Sequence, residues 1–217
     1  MGINKCAALK KRALAFCVLL LLAAPLFAQD RPPDALQAFR DGEFERSVQI
    51  CRDEIAENPN NIESHVVISW SLMALGRYEE ALHYASAGRR LSRYDIRTIR
   101  NLGEIYFFLG RNNDSLQHFR EFLSLAPAGT RVELVYYFMG EVYIRMGRFR
   151  RADIALTTAV NRVPGNAIWW TRLAYARENA GDLLEAAIAY ERALALNPQS
   201  GDARRGLDRV IQTLAGS

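Results

Sequence analysis

Lysine vanishes early. Lys5, Lys10 and Lys11 are the only three in 217 residues, so beyond position 11 every side-chain cation except a charged histidine is arginine. Base composition of the genome accounts for such a bias; so does a need for planar guanidinium forks that grip carboxylates through two bonds. Cysteine is equally sparse, at Cys6, Cys17 and Cys51. No more than one of these lies beyond the first 28 residues, and one thiol cannot form an internal disulfide. Cys51, on an apolar helical face, is expected to be a buried structural residue. The three histidines, His65, His83 and His118, fall on different segments without the paired i, i+4 spacing of a metal site. G-x-S-x-G, H-E-x-x-H and G-x-x-x-x-G-K-[ST] are all missing, and the acidic pair Glu79-Glu80 sits at a helix start, where the dipole explains it. No cofactor, metal site or catalytic residue is expected, and the chain is not read as an enzyme.

An excess of positive charge is also lacking where it would matter. The formal net charge is +4, but Lys5, Lys10, Lys11 and Arg12 lie in a 28-residue stretch that contains no acid. Without those four, 24 arginines face 24 acidic residues, and a neutral chain does not have the charge on which phosphate binding rests. Nucleic acid is therefore not an expected partner. The first 28 residues have the organisation of a secretory signal. A basic start is followed by the apolar run Ala13 to Ala24, a break at Pro25 and a cleavage point at Ala28-Gln29. The run is short of the roughly 20 apolar residues that span a bilayer. Leu26, three residues before the cut, is larger than such sites prefer, so an uncleaved and membrane-tethered form is the alternative. Cys17 sits inside the run behind Phe16, which argues against lipidation. Export followed by folding without disulfides suits a periplasmic or secreted location.

Glycine sets the rhythm of the remainder. Gly42, Gly76, Gly110, Gly147 and Gly181 are separated by 34, 34, 37 and 34 residues. Around Gly147 the pattern is fullest: Tyr136-x2-Met139-Gly140-x2-Tyr143 ahead of it, then Ala152-x3-Leu156, Ala159 and Pro164. The first four fall at i, i+3, i+4 and i+7, one stripe of a helix, with Gly140 allowing a second helix to approach. The third unit repeats this with Leu102, Gly103, Tyr106, Ser115, Phe119 and Pro127, and the fifth with Leu173, Ala174, Ala186, Tyr190 and Pro198.

This skeleton resembles the tetratricopeptide repeat (TPR), whose unit of about 34 residues is a helical hairpin ended by proline. The resemblance implies an all-α fold, a right-handed superhelical solenoid of antiparallel helix pairs. Residues 29–217 then form one domain of five repeats, at about 28–61, 62–95, 96–129, 133–166 and 167–200, with a capping helix at 202–215. Three residues are inserted between the third and fourth units, where Thr130 and Glu133 have the spacing of a capping box, so the fourth leading helix is expected to begin near Arg131. Asp95 is placed to cap the third.

Stacked helical hairpins create a concave face that such proteins use for binding. By resemblance, that face is lined by Trp70 and Met73 in the second unit, and by Arg97, Arg100, Asn101, Glu104 and Phe107 in the third. Tyr137, Glu141 and Arg145 follow in the fourth, Arg172 and Tyr175 in the fifth. Aromatic rings and arginines of this kind anchor interfaces. Two readings stand for the arginines: they hold a partner's carboxylates, or they neutralise Glu104, Glu141 and Glu178. For Phe107 the alternative to exposure is a ring wedged between helices. The expected function is an exported scaffold or adaptor that binds a protein or peptide segment in its groove. The alternative is a self-associating, homo-oligomeric component of a periplasmic or envelope assembly.

Overall fold

The computed structural model describes residues 34–216; the expected signal segment and its cleavage point lie outside the described residues. Eleven helices and no strand occur among the described residues. They are α1 Ala35–Arg40, α2 Phe44–Glu57, α3 Ile62–Ala74, α4 Tyr78–Leu91, α5 Ile96–Phe108, α6 Asn112–Leu125, α7 Val132–Arg145, α8 Phe149–Arg162, α9 Ala167–Ala180, α10 Leu183–Leu196 and α11 Gly201–Gly216. No described helix is long and apolar enough to cross a membrane.

Each pair packs through the stripe that the sequence lays out. The turns at Gly42, Gly76, Gly110, Gly147 and Gly181 all have φ between 67° and 88°, in left-handed space that a side chain resists. Gly140 has a different job: an ideal Cβ there would lie 2.5 Å from Cγ of Leu156, so the α7–α8 crossing depends on hydrogen at that position. Gly206 in α11 is used likewise, lying under the ring of Tyr190, which would be 2.2 Å from an added Cβ. Where serine replaces the small residue on the trailing helix, its hydroxyl donates to the leading helix, Ser47 to the Ala35 carbonyl and Ser115 to that of Gly103, both at 2.8 Å. Cys51 is buried, and burial pushes its thiol up to about 12.

Leading helices are capped by short polar side chains. Asn61 accepts from Ser64 N, Asp95 from Arg97 N and Thr98 N, and Asn166 from Trp169 N. The fourth is the exception. Helix α7 starts at Val132, its N-cap is Arg131 with φ 69° and ψ 20°, and no side chain caps it. The expected capping box is therefore not formed: Arg131 occupies the position at which Thr130 would have had to stand.

The curvature follows from which helices meet. The backbones of successive leading helices (α1, α3, α5, α7, α9, then α11) approach one another closely, whereas among the described residues those of successive trailing helices do not and are bridged instead by long side chains, Arg52 to Glu80 and Arg89 to Glu121. The inner wall is thus built of leading helices, as in a superhelical solenoid. Ion pairs join most neighbouring units: Arg77 with Glu45, Arg97 with Glu63, Arg172 with Glu141, and Arg209 of α11 with Glu178. Between the third and fourth units no ion pair occurs among the described residues. Rings do the work there, with Phe107 and Phe138 4.9 Å apart and Phe119 stacked on Phe138 at 6.0 Å.

Candidate functional site: the inner face of the solenoid

A cavity of about 410 Å³ opens on the inner wall between α3 and α5. Its apolar side is made by Phe39, Trp70 and Met73, with the Phe39 and Trp70 rings 5.9 Å apart. Its polar side is Arg97, Arg100, Asn101 and Glu104, four positions of one helix spaced to face the same way. The far rim is Thr130 and Arg131, brought in by the inserted residues. The structure therefore gathers Trp70, Met73, Arg97, Arg100, Asn101 and Glu104 in one hollow. The sequence marks Thr130 with Glu133 as a capping box and Arg131 as a helix start, and neither residue carries a mark that distinguishes that role from lining a cavity.

Not every group there is available. Arg97 forks onto Glu63 through two 2.7 Å bonds and also meets Asp95 at 2.7 Å. Those bonds hold its guanidinium above its ordinary pKa, and the Arg97 hydrogen bonds hold Glu63 below the usual carboxylate range. Asn101 is only 2% exposed, and its amide donates to the Ser69 hydroxyl.

Arg100 and Glu104 are different. Their side chains are 12% and 14% exposed, and Arg100 Nε lies 3.1 Å from Glu104 Oε1. The approach is too poorly aligned to be a hydrogen bond, so both atoms are buried without a hydrogen-bond partner. Burial pushes the guanidinium down and the carboxyl up, each opposed by the other's charge. Trp70 Nε1 is a third buried polar atom without a partner in this wall. Buried indole N–H groups ordinarily find an acceptor.

A second hollow of about 360 Å³ lies further along, between α9 and α11. Arg172 and Tyr175 line it together with Arg205 and Arg209 of the end helix. Its cations are all matched: Arg172 to Glu141 at 2.6 and 2.9 Å, Arg205 to Asp202, and Arg209 to Glu178 at 2.9 Å. Burial alone would lower the Arg172 pKa, but its bond to Glu141 and that carboxylate's charge keep it raised.

Between the hollows the expected row of open side chains is interrupted. Phe107 is 7% exposed, which corrects its expected place in the groove. Rings of Phe108 and Phe138 flank it, and the Arg145 guanidinium covers it 3.7 Å from the ring centre. Arg145 also donates to the Phe107 carbonyl at 2.7 Å, closing the C-terminal end of α5. Tyr137 lies flat against Trp169 at 5.0 Å, half-buried, and burial raises its phenol pKa. Of the expected self-neutralised pairs, Glu104 meets Arg100 and Glu141 meets Arg172, while Glu178 goes to Arg209. No cluster of metal-binding side chains occurs among the described residues.

The hairpin geometry, the left-handed glycines and the inner wall of leading helices coincide with sequence matches to the tetratricopeptide repeat at residues 139–201 and again at 100–128. The chain is a tetratricopeptide repeat protein. No curated protein sequence matches it. Several solved TPR proteins share the fold. MamA 41-end from Desulfovibrio magneticus RS-1 is 17% identical with a TM-score of 0.68, over 77% of this chain and 93% of that one. YrrB, a TPR protein with an unusual peptide-binding site, is 17% identical with a TM-score of 0.68, over 76% of this chain and 84% of that one. Cut9, from the APC/C hetero-tetramer Cut9–Hcn1, is 18% identical with a TM-score of 0.71; 81% of this TPR chain is covered, but 35% of Cut9.

Proposed function

We propose that this TPR protein is an exported scaffold that seats a segment of a partner protein on its inner wall and performs no chemistry itself. One observation carries the reading: the α3–α5 hollow has an apolar side, at Trp70 and Met73, beside a poorly aligned Arg100–Glu104 ion pair and a Trp70 indole N–H that no acceptor in the fold meets. Unsatisfied buried polar groups are costly in a finished structure and are relieved when a ligand supplies their partners. Export rests on the basic and apolar pattern of the first 28 residues. The test is site-specific photocrosslinking in cells, with the reactive residue at Met73 or, as a control, at exposed Ile154. A protein captured from Met73 and not from Ile154 supports the reading. Equal capture at both positions removes it. The crosslinker must not depend on amines, since no lysine follows Lys11.

Self-association is a second reading, favoured by Ile154, Leu184 and Ile188, which are 69%, 69% and 56% exposed on the trailing helices α8 and α10. Sedimentation at micromolar concentration separates the two: a monomer excludes assembly through that outer face.

A further inference from the structure

We infer that the α3–α5 hollow selects an extended guest segment in which an acidic side chain adjoins an aromatic or long aliphatic one. The carboxylate meets Arg131 and Arg100, and the apolar side chain meets Trp70 and Met73. This rests on the groove reading above and names the chemistry of its guest.

Most arginines of the inner wall already have partners. Arg97 is taken by Glu63 and Asp95, Arg172 by Glu141, Arg209 by Glu178, and Arg145 by the Phe107 carbonyl. The Arg131 side chain has no hydrogen bond or ion pair among the described residues, its carbonyl alone accepting from Val135 N, and it lines the hollow. Arg100 lies beside Glu104 without a hydrogen bond from Nε, and Trp70 Nε1 has no acceptor. Arg131, Arg100 and Trp70 thus line one hollow, with Arg131 the cation there that no carboxylate among the described residues holds. An acidic side chain is the guest group that matches the Arg131 guanidinium, through charge-assisted bonds. A basic guest would be opposed by Arg131, and a neutral one would leave it unmatched.

Arg131 is also where this protein departs from its own pattern. The comparable caps are Asn61, Asp95 and Asn166, all in extended backbone with a side chain bonded to the helix. Arg131 instead holds left-handed backbone, the one non-glycine residue to do so among the described residues, although an arginine N-cap without a side-chain bond also begins α4, α6 and α8. The backbone opposes local stability by roughly 1–2 kcal/mol. A residue that breaks local rules in this way beside a cavity fits a functional role. The three-residue insertion supplies the reach.

The experiment is fluorescence anisotropy at moderate salt with two labelled, C-terminally amidated peptide libraries. One carries Asp or Glu beside Phe, Leu or Met; the other carries Asn or Gln at the same position. The acidic library should bind at least about tenfold more tightly, a difference of about 1.4 kcal/mol. Arg131→Gly removes the cation while relieving the left-handed backbone, so folding is not at risk, and should shrink that preference to about twofold. Trp70→Ala should weaken both libraries together. Equal affinities, or a preference that survives both Arg131→Gly and Arg100→Gln, would overturn the inference. If neither library binds while Met73 still crosslinks to a partner, the carboxylate assignment falls and the groove reading stands; if Met73 captures nothing, both fall. Free-acid peptides that bind only through their terminus would overturn the choice of a side-chain carboxylate.

Discussion

The Cγ atom of Leu156 stands 2.5 Å from where a methyl group on Gly140 would have to be. Leu156 is fully buried, and its branch is held by the rest of the core, so it cannot swing aside cheaply. Gly140→Ala gains about 1 kcal/mol of helix propensity but overpacks by roughly 1–3 kcal/mol. We expect a net loss of about 1 kcal/mol in urea denaturation. In Gly140→Ala/Leu156→Ala the added methyl occupies part of the space left by leucine. The double variant should then be more stable than the sum of the two single losses; strict additivity would contradict the contact.

Asp95 links a helix cap to an ion pair. Burial tends to raise its carboxyl, but bonds from Arg97 and the Thr98 amide outweigh burial and hold it below its ordinary 3.8. A depressed carboxylate stabilises the fold above its unfolded pKa, and that contribution disappears as pH falls through the lower folded value. Asp95→Ala should cost about 1 kcal/mol or more at pH 7, the usual worth of a cap. Denaturation curves of parent and variant should converge as pH falls below about 4. A gap that stays constant down to the acid limit would rule out this linkage.

The Arg100–Glu104 pair is buried but poorly aligned, so it brings desolvation without full return. Glu104→Ala should destabilise by about 3 kcal/mol, because Arg100 is then left without its carboxylate. Replacing both, Arg100→Met with Glu104→Leu, should recover most of that loss or exceed the parent, while removing the guest's polar contacts. Thermal melting measures the first effect and peptide anisotropy the second.

Cys51 offers a probe of unfolding. Burial raises its thiol to about 12, so at pH 8 it is almost wholly protonated and out of reach. With Cys6 and Cys17 replaced by serine, an aromatic disulfide reagent should report no reaction in the folded protein and one thiol in denaturant. Prompt reaction of the native protein would contradict the burial.

Much of the architecture is visible in the chain because it is written at fixed intervals. Gly76 and Gly110 announce turns by spacing, and Gly140 announces a close crossing by its place in the stripe. The hollow is less legible. Trp70, Met73 and Arg100 follow from helical periodicity, but Phe107 does not, since the same face serves as groove in one unit and as packing against the next. The fate of the arginines was partly readable. Arg97 and Glu63 are one repeat apart, and Arg172 and Glu141 are 31 residues apart, a spacing that signals neighbours on adjoining units. Arg131 gave no such signal, because an insertion breaks the register on which the reading depends.

The ring-filled junction between the third and fourth units bears on how the hollow behaves. Ionic clasps elsewhere weaken in brine; stacked phenyl groups at Phe107, Phe119 and Phe138 do not. Arg131 stands beyond this greasy seam, whereas Trp70 and Arg100 stand before it. Any flexing at that seam opens or narrows the mouth of the hollow, so the bend of the spiral and the fit of its guest are set at the same place.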